Sequence, residues 1–304
     1  MFLGKEDQII QFFLENDTIK GAILNASNIV KSAITAHSLG ALETLILGQT
    51  LCASALISTT IKGEDRLNLF IECGGPIGGL SCDINALGEV RGSLVNNPII
   101  GDSSKTISID NLYGPGFLHM RRISQGSKSP FTGSVELCYP DLASNLAYYY
   151  TTSEQTPTAF VLSVAINDKQ QFLGASALLL QALPGAQDER LSSLQQEIIE
   201  LSKRKGSLFS QIEECGDCGE WLTSYLQNYA LSIIGLKSVR YACHCSKERV
   251  APFLKGFSRE RLLELASEDG SIDVSCHGCS SVHHFTKNEI DLFTGVLSAD
   301  KQQL

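Results

Sequence analysis

The sequence predicts an α+β protein, and three observations lead there. Three helix-like segments near the N-terminal end precede a series of short strand-like runs punctuated by Gly, Pro, Asn and Asp, the order expected of helices packed on an antiparallel sheet. Residues 187–240 then change to a helical, amphipathic texture. The last 64 residues form a small α+β unit that carries two close cysteine pairs. These textures divide the chain into an N-terminal domain (1–186), a helical linker (187–240) and a C-terminal domain (241–304).

Taken in order, "DQIIQFFLEN" reads as a first helix, with Ile9, Ile10, Phe12, Phe13 and Leu14 apolar. Two more helices are expected at 26–36 and 39–58. Strand-like runs follow: "RLNLFIEC", "GLSCDIN", "EVRGSLV", "TISID", "GFLHMRRI" and "FTGSVEL". "DLASNLAYYYTTSEQ" reads as a helix, with Pro157 as its breaker. "TAFVLSVAIN" and "FLGASALLLQAL" read as a hairpin turning at "NDKQQ". In the linker, Leu191, Leu194, Ile198 and Leu201 mark one apolar face. Trp221, Leu222, Tyr225, Leu226 and Tyr229 mark another, with "GDCG" breaking the two. The pattern extends as helix to "LSIIGL", and the apolar stripe requires a surface to lie on. In the last unit a strand leads into Cys243, and Ser246 and Ser258 are N-cap candidates for "KERVAPFL" and "RERLLELA". "EDG" turns into the strand "SIDVSC", and "VHHFTK" precedes a final helix from Asn288.

Charge and composition exclude several classes. The formal net charge is −9, and residues 241–304 hold 7 Lys/Arg against 9 Asp/Glu, so no basic surface is available for nucleic acid. The most apolar window, residues 39–58, contains Glu43, Gln49 and several Ser and Thr, and reads as a buried core helix instead of a membrane span. The opening "MFLGKEDQII" lacks the apolar stretch of a signal peptide. The expected location is the cytoplasm, where paired cysteines serve metal or redox chemistry more often than stable disulfides.

Cys243 and Cys245 form a C-x-C, Cys276 and Cys279 a C-x-x-C, and 30 residues separate the pairs. Each pair places two sulfurs on one edge of a tetrahedral metal, and a core this small needs such a closure. The reading is one Zn²⁺ per chain on Cys243, Cys245, Cys276 and Cys279. The alternatives are a mixed site using His283 or His284, or two plain disulfides. His244 and His277, inside the pairs, are expected to face solvent. Thiolates are also the targets of oxidants, so the residues that fold the unit can report on peroxide or hypochlorite.

At this point the chain resembles the redox-regulated 33 kDa bacterial heat-shock chaperonin family. The resemblance extends over nearly the whole chain: "DQIIQFFLENDTIKGAIL", "GEVRG", "SEQTPTAFVLSV", "LLLQALPGAQ" and "CSKERV…EDGSIDVSCHGC" follow its pattern in order. The resemblance implies an ATP-independent holdase, not an enzyme, that is inactive when reduced and zinc-bound. It implies that oxidation pairs Cys243 with Cys245 and Cys276 with Cys279, releases zinc, unfolds the switch and frees the linker. Apolar surface then becomes available to unfolding client proteins, and a homodimer is expected on activation. Two rival readings are a thiol–disulfide oxidoreductase using one of the pairs, and an interaction module in which zinc is purely structural.

The linker pair Cys215 and Cys218 departs from the family pattern. It is either a second redox pair or a substitute ligand set, or else two exposed thiols in a turn. Cys52, Cys73, Cys82 and Cys138 lie in apolar or strand contexts and read as small buried hydrophobes. "CGGPIGGL" lacks the lysine and hydroxyl ending of a phosphate loop and reads as a strand–turn–strand connection. Glu154 has no obvious chemical partner, and His37 and His119 have no arrangement resembling a triad.

Overall fold

The structure, a computed structural model, describes residues 7–99, 111–127, 129–186 and 188–293. The strand expected at "TISID" lies outside them. The chain separates into two compact units, residues 1–242 and 243–304.

The first unit is built on a ten-stranded sheet. Its strands are β1 (Asp7–Leu14), β2 (Ile19–Asn25), β3 (Arg66–Cys73), β4 (Gly79–Asn85), β5 (Glu89–Leu94), β6 (Gly116–Ile123), β7 (Phe131–Glu136), β8 (Thr158–Ile166), β9 (Phe172–Ala182) and β10 (Ser232–Tyr241). The spatial order is β7-β6-β3-β4-β5-β10-β1-β2-β9-β8. Every neighbouring pair is antiparallel except β10 and β5, which meet in parallel at Arg240 and Tyr241. "CGGPIGGL" forms the connection between β3 and β4, as its glycines suggested.

Two sequence expectations fail here, one through burial of a strand on both faces and the other through strand pairing that leaves Ile233, Ile234 and Leu236 exposed. Residues 7–14 are a strand, not a helix, and so are residues 232–241. The two pair with each other, Asp7 opposite Val239, across almost the whole length of the unit. β1 is buried on both faces, with Ile9 in one core cluster and Phe12 and Leu14 in another. A strand covered on both sides shows a continuous apolar run, which local periodicity does not distinguish from a buried helix.

On one face lie α1 (Ser27–His37), α2 (Ala41–Ile57) and α3 (Leu142–Thr152). Asp7 reaches from β1 to the start of α1, where its carboxylate accepts from the Ile29 amide at 2.7 Å and from the Asn28 side-chain amide at 2.9 Å. Burial raises the Asp7 pKa, and these hydrogen bonds oppose the rise. α2 belongs to the one segment among the described residues that is long and apolar enough to cross a membrane, Ala41–Thr60, yet 78% of that window is buried within the protein. Glu43, the charge inside that window, is buried and accepts from the Ile99 amide at 2.7 Å. Lys237 of β10 donates to the Ser58 carbonyl at 2.6 Å, just beyond the end of α2.

α3 begins on Asp141, whose side chain accepts from the Ser144 amide. Asn145, one turn on and fully buried, accepts from the amides of Cys138 and Tyr139 and donates to the carbonyls of Tyr139 and Asp141. Nothing in the sequence singled it out. Asn145→Ala is expected to leave these groups unpaired and to cost on the order of 3 kcal/mol. Urea unfolding should show a lower midpoint at unchanged slope, and an unchanged midpoint would remove Asn145 from the fold's supports.

The opposite face of the β1-β2-β9-β8 half is covered by α4 (Asp188–Lys205), α5 (Leu208–Cys215) and α6 (Cys218–Leu226). The expected single break is in fact two. Gly206, at φ 86°, ends α4 and Ser207 caps α5, while Gly216, at φ 107°, ends α5 and Asp217 caps α6. The apolar stripe read from the sequence is the contact. Leu191, Leu194, Ile198, Ile212, Trp221, Leu222 and Leu226 pack with Phe12, Leu14, Ile19, Ile23, Leu178 and Leu180. β2 and β9 alternate between the two cores: Ala22, Leu24, Ala177 and Leu179 face one, Ile23, Leu178 and Leu180 the other. The Phe209 ring lies directly over Gly174 of β9, where any Cβ would overlap it.

The second unit contains α7 (Lys247–Leu254), α8 (Arg259–Leu265), the hairpin β11 (Ile272–Ser275) and β12 (Val282–Phe285), and α9 (Lys287–Phe293). Ser246 and Ser258 cap α7 and α8 by accepting from the Arg249 and Arg261 amides. Its buried core is Leu254, Leu262, Ile272, Phe285 and Ile290.

Candidate metal centre

The second unit brings two chain segments together around sulfur. Cys243 and Cys245 lie on the stretch leading into α7. The Arg249 guanidinium steadies it by donating to the His244 carbonyl at 2.9 Å. Cys276 and Cys279 lie on the turn of the β11–β12 hairpin. There the Cys279 and Ser280 amides donate back to the Cys276 carbonyl at 3.3 and 2.7 Å, and the Cys276 amide donates to the Ser281 carbonyl at 2.9 Å. Capping at Ser246 and the short β hairpin thus aim both pairs at one point.

The four Sγ atoms all lie within 4.8 Å of one another. Cys243 Sγ is 3.6 Å from Cys276 Sγ and Cys245 Sγ is 3.4 Å from Cys279 Sγ. Four sulfurs at ~2.3 Å from one metal would sit ~3.8 Å apart, so these spacings suit a tetrahedral thiolate site. None of the four cysteines is in a disulfide, and all are partly buried. The donor set therefore fits a metal ion, and its softness and number fit zinc.

Ionisation within the cluster is uneven. Burial opposes charge at Cys279, yet the Ser281 hydroxyl, 3.2 Å away, the Ser281 amide and the neighbouring thiols outweigh it and bring the thiol down to about 6. Burial and the neighbouring thiols push Cys245 up, and burial chiefly pushes Cys276 up.

The histidines stand apart from the sulfurs. His244 and His277 are exposed, as the sequence suggested. His284 Nδ1 is engaged by Asp273 Oδ1 at 2.7 Å, and neither His284 nor His283 belongs to the group of converging ligand atoms. His283 Nε2 is buried without a hydrogen-bond partner. Sequence reasoning missed Ser281 and Arg249, and also Lys247, whose ammonium bridges to Glu289 at 2.7 Å and lies over the Phe285 ring. A serine two residues after the last cysteine was the only local signal.

Cys52 and Cys82 are fully buried, and burial raises both thiols, Cys82 to about 12. Cys73 is half-buried, whereas Cys138 is exposed, against expectation, because it follows β7 at the sheet's edge. Glu154 does have a partner: Tyr149 donates to it at 3.1 Å. His37 meets the Tyr241 hydroxyl at 3.1 Å, and His119 stacks on Phe70 with ring centroids 4.5 Å apart. Of the linker pair, Cys215 is partly exposed but Cys218 is buried, which corrects the picture of two exposed thiols.

Comparison with known proteins gives the same extent as the fold. The family model described as Hsp33 protein matches residues 7–286. A 33 kDa chaperonin of Desulforamulus reducens is 31% identical over 287 residues, covering 94% of this chain and 96% of that protein. A 33 kDa chaperonin of Acetivibrio thermocellus is 30% identical over 300 residues, covering 97% and 99%. The crystal structure of the 33 kDa chaperonin (heat shock protein 33 homolog) of Thermotoga maritima superposes with a TM-score of 0.79 at 23% identity, over 97% of this chain and 99% of that one, a likeness of fold. Chaperonin is a non-enzymatic designation, and the match runs through the sheet, its helical cover and the cysteine cluster alike: the chain belongs to the Hsp33 family.

Proposed function

We propose that this protein is a redox-regulated, ATP-independent chaperone of the cytoplasm that holds unfolding client proteins. The observation that carries the reading is the convergence of four thiols in a unit whose core, among the described residues, is five side chains. In the reduced state Cys243, Cys245, Cys276 and Cys279 hold one zinc ion, which supplies a four-way crosslink to that unit. Oxidation pairs Cys243 with Cys245 and Cys276 with Cys279. Two equivalents of peroxide take up the four electrons and four protons and leave as water, and no thiolate remains to bind metal. With its crosslink gone, the five-residue core does not hold the unit folded.

The linker reading follows from connectivity. One residue, Ala242, separates the end of β10 from Cys243, and β10 continues directly from the helices that cover the sheet. Loss of order beyond Cys243 loosens β10, and with it the hold on α4–α6. Undocking these helices uncovers Phe12, Leu14, Ile19, Ile23, Leu178 and Leu180, a contiguous apolar face suited to non-native chains. The activated form is a homodimer.

The test joins metal to activity. Reduced protein is expected to carry about one zinc per chain. Peroxide at elevated temperature should release it as suppression of aggregation of a heat-labile client appears without ATP. Zinc that stays bound during activation, or activity highest in the reduced form, would leave a purely structural metal site.

A further inference from the structure

We propose that Cys215 and Cys218 form a second oxidisable dithiol, separate from the metal cluster, whose disulfide disturbs the docking of α6 on the sheet. The pair lies at the junction of α5 and α6, where the chain bends at Gly216 and Asp217. Both side chains belong to one apolar environment: Cys218 is part of the cluster under α4–α6 and Cys215 packs against it. They differ in access. Cys215 is partly exposed at the last position of α5, while Cys218, the first residue of α6, is 7% exposed. This is the arrangement of a thiol that meets oxidant and a neighbour that resolves it.

The chemistry balances with hydrogen peroxide. The Cys215 thiolate attacks one peroxide oxygen and becomes a sulfenic acid as the other oxygen leaves as water. The Cys218 thiol then displaces the sulfenic hydroxyl, which leaves as a second water, and the S–S bond forms. Two thiols are oxidised by two electrons and one peroxide is reduced. Burial pushes the Cys218 thiol up to about 12, with Asp217 adding to it and the Asn25 backbone opposing, so Cys218 in its native pocket is not the group that meets peroxide.

The disulfide has a mechanical consequence. Its sulfurs must close to ~2.05 Å, which draws Cys218 out of its contact with the Asn25 backbone. Cys218 opens the turn that carries Trp221, whose amide bonds to the Asp217 carbonyl at 3.0 Å and whose indole donates to Gln211 at 3.1 Å. Moving that turn loosens the largest fully buried side chain of the protein. Its effect adds to the proposed release of the helices through the metal unit, but its formation does not depend on that reading.

The experiment uses the full-length, zinc-loaded, reduced chain. No Lys or Arg lies between Lys205 and Lys237, so trypsin delivers Cys215, Cys218 and the single Trp of the chain on one peptide, 206–237, without other cysteines. After peroxide and alkylation, most of this peptide is expected two hydrogens lighter and unalkylated, and Trp221 emission should shift to the red. Cys215→Ser should abolish the disulfide and at least halve the emission shift while zinc is still released. Peptide 206–237 that remains alkylatable while zinc leaves would overturn this proposal and spare the metal switch. An internal disulfide there with zinc retained would support it and sink the metal reading. Cross-links from Cys215 or Cys218 to the metal-cluster cysteines would also overturn it.

Discussion

Chelation of zinc from the reduced protein is expected to unfold residues 243–304 while the ten-stranded sheet stays folded. Among the described residues, the core of this unit consists of Leu254, Leu262, Ile272, Phe285 and Ile290, against the backbone of residues 243–293 that must be ordered. Such a core does not outweigh the conformational entropy of its chain. A structural zinc on four thiolates contributes on the order of 10–16 kcal/mol, so metal binding and folding of this unit are one equilibrium. Hydrogen exchange gives the readout. The amides of α7, α8, β11 and β12 should lose protection on chelation and regain it on adding Zn²⁺, while those of β1, β2 and β9 keep theirs. Cys276→Ser should behave as the chelated protein does at micromolar zinc. Full protection of α7 and α8 after the metal has been stripped would show that the unit folds on its own core, and the switch would then lack its mechanism.

Trp221→Ala is the second large effect. Trp221 is fully buried between α6 and the sheet, donates to Gln211, and lies 5.4 Å from the Tyr225 ring. Truncating a buried Trp costs about 3–5 kcal/mol, and Gln211, itself buried, loses the donor to its carbonyl oxygen. The loss falls on α5 and α6, short helices held by this contact instead of by helix propensity. The reduced, zinc-loaded variant should therefore bind a hydrophobic dye and suppress client aggregation without oxidant, with its zinc content unchanged. Dye binding equal to the parent protein would mean that α6 is not what keeps the sheet face covered. A cooperative loss of the whole unit, visible as disappearance of sheet signal, would mean that the helices are part of the core and not a removable cover.

Much of the architecture is legible in the residues. The turns at "CGGPIGG" and "NDKQQ", the caps at Ser246 and Ser258, and the helical stripe from Leu191 to Leu226 follow from short-range chemistry, and the structure places each where that chemistry put it. The spacing of the four cysteines was enough to gather them on paper, and their sulfurs do converge. What misled was burial of β1 on two faces, and in β10 a short apolar run whose Ile233, Ile234 and Leu236 stay exposed. "DQIIQFFLEN" and "LSIIGL" look alike as helix or strand to any window of ten residues. Likewise, "ECGDCG" offered two equivalent thiols, and the fold made them unequal by seating one under α6.

The α+β class, the family and the residue types available to a thiolate site can be read from the residues alone, because caps, turns and ligand spacing act over a few residues. That residues 7–14 and 232–241 are neighbouring strands, that Ser281 supports Cys279, and that Cys218 is hidden while Cys215 is not, emerges from the fold. These depend on what lies across the sheet or beneath a helix. Asp7 meets Val239 from the far end of the unit, and no local pattern carries the identity of a partner so distant.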